Sequence, residues 1–260
     1  MKTDYQRENA EAPHWYRHGK RRLRDPPELL FLEGRHDFEL LRRLSRVLWR
    51  QHVISSDLDS LVYAGRLIVV PMGGIHADWE NRFAILGCPQ FFLLDRELEP
   101  ETAHRRLLVD RINSRPGSQA CLMSKRNLEC YLHPAAISAA GGENIEFGDG
   151  DSVAEALART RFSTGRSIPW NGLSRRTRQR LANQAKGWLC TAAADHMTAE
   201  WLAERDPNGE VIEWLRTIIA LTPHVETDPV ANASYETGQP QEESGASQSH
   251  GHLVQDRSGS

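Results

Sequence analysis

Short apolar runs alternate with amphipathic stretches in the first half of the chain, and helical periodicity alone continues in the second. Leu29-Leu30-Phe31-Leu32 is the kind of unbroken run found in a strand covered on both faces. Asp37 then opens a helical pattern in which Phe38, Leu41, Leu44 and Leu48 recur at helix spacing. Leu67-Ile68-Val69-Val70-Pro71 predicts a second strand, ended by a turn at Gly73-Gly74, and Trp79, Phe83 and Leu86 predict the helix after it. Phe91-Phe92-Leu93-Leu94 predicts a third strand, closing at Asp95-Arg96-Glu97. Residues 100–114 predict a helix stopped by Pro116-Gly117, and Ala120-Cys121-Leu122-Met123 predicts a fourth, weaker strand. Beyond about residue 135 the strand patterns end. Residues 151–162, 174–197 and 198–221 are helical, with Ser174 placed to cap the second of these.

Strands alternating with helices imply βαβ units and a mostly parallel sheet, whose ligands bind beyond the carboxyl ends of the strands. The fold class expected is therefore α/β: a mostly parallel sheet flanked by helices, followed by an all-helical C-terminal extension. The boundaries expected are a flexible basic arm over 1–27, a sheet domain over 28–135, a helical extension over 136–222 and a disordered tail over 223–260. The arm carries Lys20-Arg21-Arg22-Leu23-Arg24 and ends in Pro26-Pro27. The tail is rich in Gly, Ser, Gln, Glu and His, too poor in apolar residues to offset the entropy of ordering.

Composition narrows the function classes. The 260 residues are 39% hydrophobic and 26% charged, enough for one sizeable core, and the net charge of -3 gives no global basic field. Cys88, Cys121, Cys130 and Cys190 form no CxxC pair and no zinc spacing, and read as reduced buried thiols. His76, His104 and His133 are scattered without H-x-x-x-H or H-E-x-x-H spacing, which argues against zinc hydrolysis. No G-x-S-x-G elbow is present. A polar N-terminus and the lack of an apolar run near the roughly 20 residues of a membrane span predict a cytoplasmic protein with no membrane partner.

The chemistry resides in acidic residues at the strand ends. Glu33-Gly34-Arg35-His36-Asp37 follows the first strand and places two carboxylates around a glycine turn; taken alone, Asp37 is a helix N-cap. Asp95-Arg96-Glu97 follows the third. If strand alternation persists there, Asp95 and Glu97 share one side, where mutual repulsion is relieved by a cation. Lys125-Arg126-Asn127-Leu128-Glu129-Cys130-Tyr131 follows the fourth strand and adds Glu129 and a positive charge at Lys125. Clustered carboxylates without thiolates select hard cations such as Mg2+ or Mn2+.

In their order, E-G-x-x-D, D-x-E and K-x-x-x-E after successive strands, these motifs resemble the TOPRIM domain shared by topoisomerases, primases and the OLD (overcoming lysogenisation defect) nucleases. The segment from Lys125 to Tyr131 and the Gly73-Gly74 turn bring the likeness closest to the OLD branch, over roughly residues 28–135. The resemblance implies metal ligation by Glu33, Asp37, Asp95, Glu97 and Glu129, and catalytic roles for Glu33, Lys125 and Glu129. The chain departs from full-length OLD proteins in lacking a G-x-x-x-x-G-K-[ST] phosphate loop, and so an ATPase half.

Arg175, Arg176, Arg178, Arg180 and Lys186 fall on one helical stretch with no acidic residue among them, a candidate surface for nucleic-acid phosphates. Leu181, Trp188 and Leu189 give the same helix an apolar stripe. Together these features predict a divalent-metal-dependent nuclease that cleaves or nicks DNA. Two ions are expected, one activating water and one stabilising the leaving oxygen, with Lys125 neutralising phosphoryl charge. The alternative is a weakly active or non-catalytic nucleic-acid-binding module serving a separate ATPase.

Overall fold

The period-two alternation within β1 (Glu28–Leu32) sends its side chains to two different cores. A computed structural model describes residues 26–73, 83–163 and 168–222 of the chain. In it β1 and three further strands, β2 (Leu67–Pro71), β3 (Gln90–Leu94) and β4 (Ser118–Leu122), form one parallel sheet in the order β2-β1-β3-β4. Leu30 and Leu32 of β1, with Phe91 and Leu93 of β3, face the larger core. Leu29, Phe31, Phe92 and Leu94 face a smaller one on the other side, where the rings of Phe31 and Phe92 stack at 4.1 Å. Strands buried on both faces are why these segments are continuous apolar runs rather than alternating ones.

Helix α1 (Arg35–Arg50) covers the larger core with Leu40, Leu41, Leu44 and Leu48. A short helix α2 (Leu58–Tyr63), too brief to stand out by periodicity, leads into β2. Helix α3 (Glu101–Asn113) contributes Ile112 to the smaller core. The helix expected through Trp79, Phe83 and Leu86 lies mostly outside the described residues; its described end is a single 3-10 turn, Ala84–Leu86.

The C-terminal half comprises α4 (Pro134–Ala139), α5 (Val153–Ser163), α6 (Arg175–Trp188), α7 (Ala199–Arg205) and α8 (Glu210–Leu221). Ile137, Leu157, Leu189, Leu215 and Ile218 from this half join the same core as Leu30 and Leu32, so the helices are built onto the sheet. Two expectations need correction. The helix drawn over 174–197 starts as expected, with Ser174 accepting the Thr177 N–H, but leaves α-geometry after Trp188 for a π turn at Leu189–Ala193 and a 3-10 turn at Ala194–His196. The helix drawn over 198–221 is two helices. Pro207 offers no N–H and Gly209 takes φ +70°, while the Asp206 carboxylate accepts the Glu210 and Val211 N–H groups and starts α8 afresh. No helix among the described residues is long and apolar enough to cross a membrane.

Candidate metal centre and the groove beside it

Glu33 is the first residue after β1 and Asp95 the first after β3, and these strands are neighbours, so the two carboxylates emerge side by side at the carboxyl edge of the sheet. Their partners follow from strand parity. Glu33 continues the side of Leu29 and Phe31, the face covered by α3, and Arg105 of α3 hydrogen-bonds it there. The same guanidinium donates to the Asp95 backbone carbonyl at 2.6 Å, tying α3 to both strand ends. Asp95 continues the side of Phe91 and Leu93, which faces α1 and the C-terminal helices.

Glu97 reaches the site by a different route from the one expected. Strand geometry does not persist to it: its backbone is left-handed, φ +56°, a conformation uncommon for a side-chain-bearing residue. Its N–H donates to the Arg126 carbonyl at 2.9 Å, and its carboxylate lies 3.3 Å from Arg126 Nε. The turn brings Glu97 back towards Glu33 and Asp95, so that one ligand oxygen from each of the three lies within 4.8 Å of the others.

Asp95 is 4% exposed, and among the described residues no hydrogen bond or ion pair reaches its carboxylate. Burial, then the charges of Glu33 and Asp37, push its pKa well above the usual carboxylate range. Burial also raises Glu33, partly opposed by Arg105. A buried, unpaired carboxylate facing two others is stable at neutral pH only with a proton or a cation, and an all-oxygen donor set suits a hard divalent ion. The residues present therefore fit such an ion.

Asp37 and Glu129 form a second group against Lys186. The ammonium of Lys186, on α6, lies 2.8 Å from Asp37 Oδ1 and 2.9 Å from Glu129 Oε1. Burial disfavours its charge, but Glu129, Asp37 and Asp95 outweigh that and raise its pKa. Asp37 does not open α1. It is the third residue of the helix, and its Oδ2 accepts the N–H of Gly34, the capping residue, at 2.7 Å. The Cys190 thiol, 3.8 Å from Glu129 Oε1, is a buried reduced cysteine whose pKa burial raises further.

Several sequence expectations move. Lys125 is 6% exposed and pairs with Asp149 at 2.5 Å, its ammonium 5.3 Å from the centre of the Tyr131 ring, so its charge is spent away from the three-carboxylate cluster. Among the described residues, the cations that face the acidic residues are Arg105, Arg126 and Lys186. Arg105 lies mid-helix with no motif around it, and nothing in the sequence pairs it with Glu33, 72 positions away. Lys186, expected at the phosphate-binding surface, is turned into the acidic site instead.

The remaining basic residues divide by helix face. Arg175, Arg176 and Arg180 line an open groove of about 1220 Å³ together with Arg35, His36, Gln179, Asn183, Gln184 and Gly187. Arg178 shares the inward face of Leu181 and Ala185, and its Nε is buried. The side chain is half-buried, and it is not among the residues that line the groove. Arg35 and His36 sit in the chain between Glu33 and Asp37, and Gly187 follows Lys186, so the groove adjoins the acidic site. Burial, and after it the neighbouring charges of Arg35 and Lys186, lower the His36 pKa and favour a neutral imidazole there.

Fold and site together define an α/β protein with a parallel sheet, a carboxylate cluster at its carboxyl edge and a cationic groove alongside. Comparison with protein-family models, with curated proteins and with solved structures finds no match to this chain.

Proposed function

We propose that the protein is a divalent-metal-dependent nuclease that cuts or nicks DNA at a TOPRIM-like site of the OLD type. The observation that carries this reading is the junction of two opposite fields: a buried Asp95, without a partner among the described residues, within the Glu33–Asp95–Glu97 cluster, and an arginine-lined groove that adjoins the acidic site. Carboxylates alone repel a phosphodiester. Arginines alone hold one without cutting it.

Glu33, Asp95 and Glu97 would hold the ion. Bound there, Mg2+ or Mn2+ would supply positive charge to the phosphate and lower the pKa of water. The groove residues Arg35, Arg175, Arg176 and Arg180 would grip the backbone on either side of the cut, each neutralising phosphate charge. Arg105 and Arg126 would fix the orientations of Glu33 and Glu97, limiting their freedom to swing away from the site. The order of the acidic motifs along the chain supports the OLD-type assignment; the sequence offers no phosphate loop for ATP.

A plasmid assay tests the proposal. Supercoiled DNA is expected to become open-circular with Mg2+ or Mn2+ and to stay intact in EDTA, without ATP. Asp95→Asn and Glu97→Gln are each expected to slow the conversion on the order of 100-fold with the fold intact. The pairing of Glu33 with Arg105 and of Glu97 with Arg126 favours a second reading, a weakly active or non-catalytic DNA-binding module that acts with a separate ATPase. Binding of DNA with no cutting in any metal, together with cutting restored by an added ATPase, would decide for that reading.

A further inference from the structure

Five carboxylates crowd the edge of the sheet: Glu33, Asp37, Asp95, Glu97 and Glu129. Among the described residues three cations are supplied to them, Arg105, Arg126 and Lys186. Two negative charges remain, the charge of one divalent ion. The distribution is as telling as the total. Asp95 has no partner among the described residues, and it lies with Glu33 and Glu97, whereas Asp37 and Glu129 share the Lys186 ammonium.

We infer that the site takes one divalent cation, at Glu33, Asp95 and Glu97, and that Lys186 stands where a second ion would otherwise lie between Asp37 and Glu129. The inference rests on the metal-dependent reading above and replaces the two ions expected from the sequence by one. An ammonium and a metal ion compete for the same carboxylate oxygens, and an ammonium anchored to a helix needs no recruitment from solution. Asp37 and Glu129 are almost completely buried, so they need a positive charge in every state of the protein. Lys186 provides it permanently. The Glu129 Oε1 that meets Lys186 also accepts from the Cys190 thiol at 3.8 Å, a soft neighbour, so this oxygen is surrounded for an ammonium more than for a hard ion. Lys186 is thereby a positioning residue: it sets Asp37 and Glu129 and determines the ion count.

Titration of the metal-free, full-length protein with Mn2+, with free Mn2+ followed by its paramagnetic resonance signal, counts the ions. One tightly bound ion per chain is expected for the wild type and for Lys186→Arg, and two for Lys186→Met. Lys186→Met is also expected to melt lower in EDTA and to recover in Mn2+ by more than the wild type gains. Should Lys186→Met fail to fold, Glu129→Gln decides: its count stays at one if the inference holds. A wild type that binds two ions, with Glu129→Gln falling to one, overturns the inference while leaving a metal-dependent nuclease intact. A folded Lys186→Met that binds only one ion overturns it as well. A wild type that binds none removes the metal-dependent reading and the inference together.

Discussion

Glu28 shows at the residue scale how burial rewrites a side chain. It opens β1, is fully buried, and neither carboxylate oxygen finds a hydrogen-bond partner among the described residues. Burial raises its pKa from 4.5 to about 9. The folded protein thus keeps the proton to about pH 9, whereas the unfolded chain releases it near pH 4.5. Its contribution to stability is fully present below pH 4.5 and is lost progressively as pH rises to about 9, at about 1.4 kcal/mol per unit. Glu28→Gln should flatten the stability–pH curve by that slope, as read from denaturant melts between pH 5 and 9. An unchanged curve would mean that the carboxyl has found a partner. Asp95 obeys the same physics with a different outcome. Asp95→Asn removes an unpaired buried charge and should raise the melting temperature in EDTA, while abolishing the gain that Mg2+ gives the wild type. That gain is about 2.7 kcal/mol when the ion stands at 100 times its dissociation constant.

At the scale of elements, α6 serves three purposes by presenting three sets of residues. Leu181 and Ala185 pack inward, Arg175, Arg176 and Arg180 look into the groove, and Lys186 reaches the acidic site between them. Its docking depends on a close approach at Gly142. A Cβ there would lie 2.6 Å from the Trp188 ring and 2.8 Å from both the Ile137 side chain and its carbonyl, all closer than a Cβ can approach, so the surrounding structure must move. Gly142→Ala should accordingly destabilise the fold by about 1–3 kcal/mol, measured by chemical denaturation, and should weaken metal binding if α6 is displaced with it. Gly187 is a milder case. Its Cβ would sit 3.2 Å from the His36 ring, so Gly187→Ala presses on a side chain that can shift. The strands were legible because β1 and β3 are buried on both faces and leave unbroken apolar runs. The split between α7 and α8 was legible in hindsight from Pro207 and Gly209, yet helical periodicity on both sides concealed it.

For the whole molecule, the separation of the groove arginines from Arg178 makes a sharp prediction about DNA binding. Replacing Arg175, Arg176 and Arg180 together by alanine should reduce the dependence of log K on log salt by about one unit for each phosphate no longer neutralised. Arg178→Ala should leave the salt slope unchanged, because that side chain faces inward. Equal effects of all four substitutions in a fluorescence-anisotropy titration would return the helix to a uniformly basic surface with no directional groove.

Some of this was written in the chain. Apolar runs fixed where the strands lie, and the position of an acidic residue directly after a strand fixed which edge of the sheet it would occupy, since both are local properties of the backbone period. Glu33, Asp95 and Glu97 could therefore be named together from sequence, as could the basic character of the helix over Arg175 to Lys186. Only the tertiary structure decided how the charges are paired. Arg105 meets Glu33, and Lys186 meets Asp37 and Glu129, across spans of chain that no short motif connects. The left-handed turn at Glu97 and the inward face of Arg178 were likewise settled by packing. A charged residue's sign is readable from the sequence, but the energy of that charge depends on what is buried beside it, and burial is a property of the folded whole.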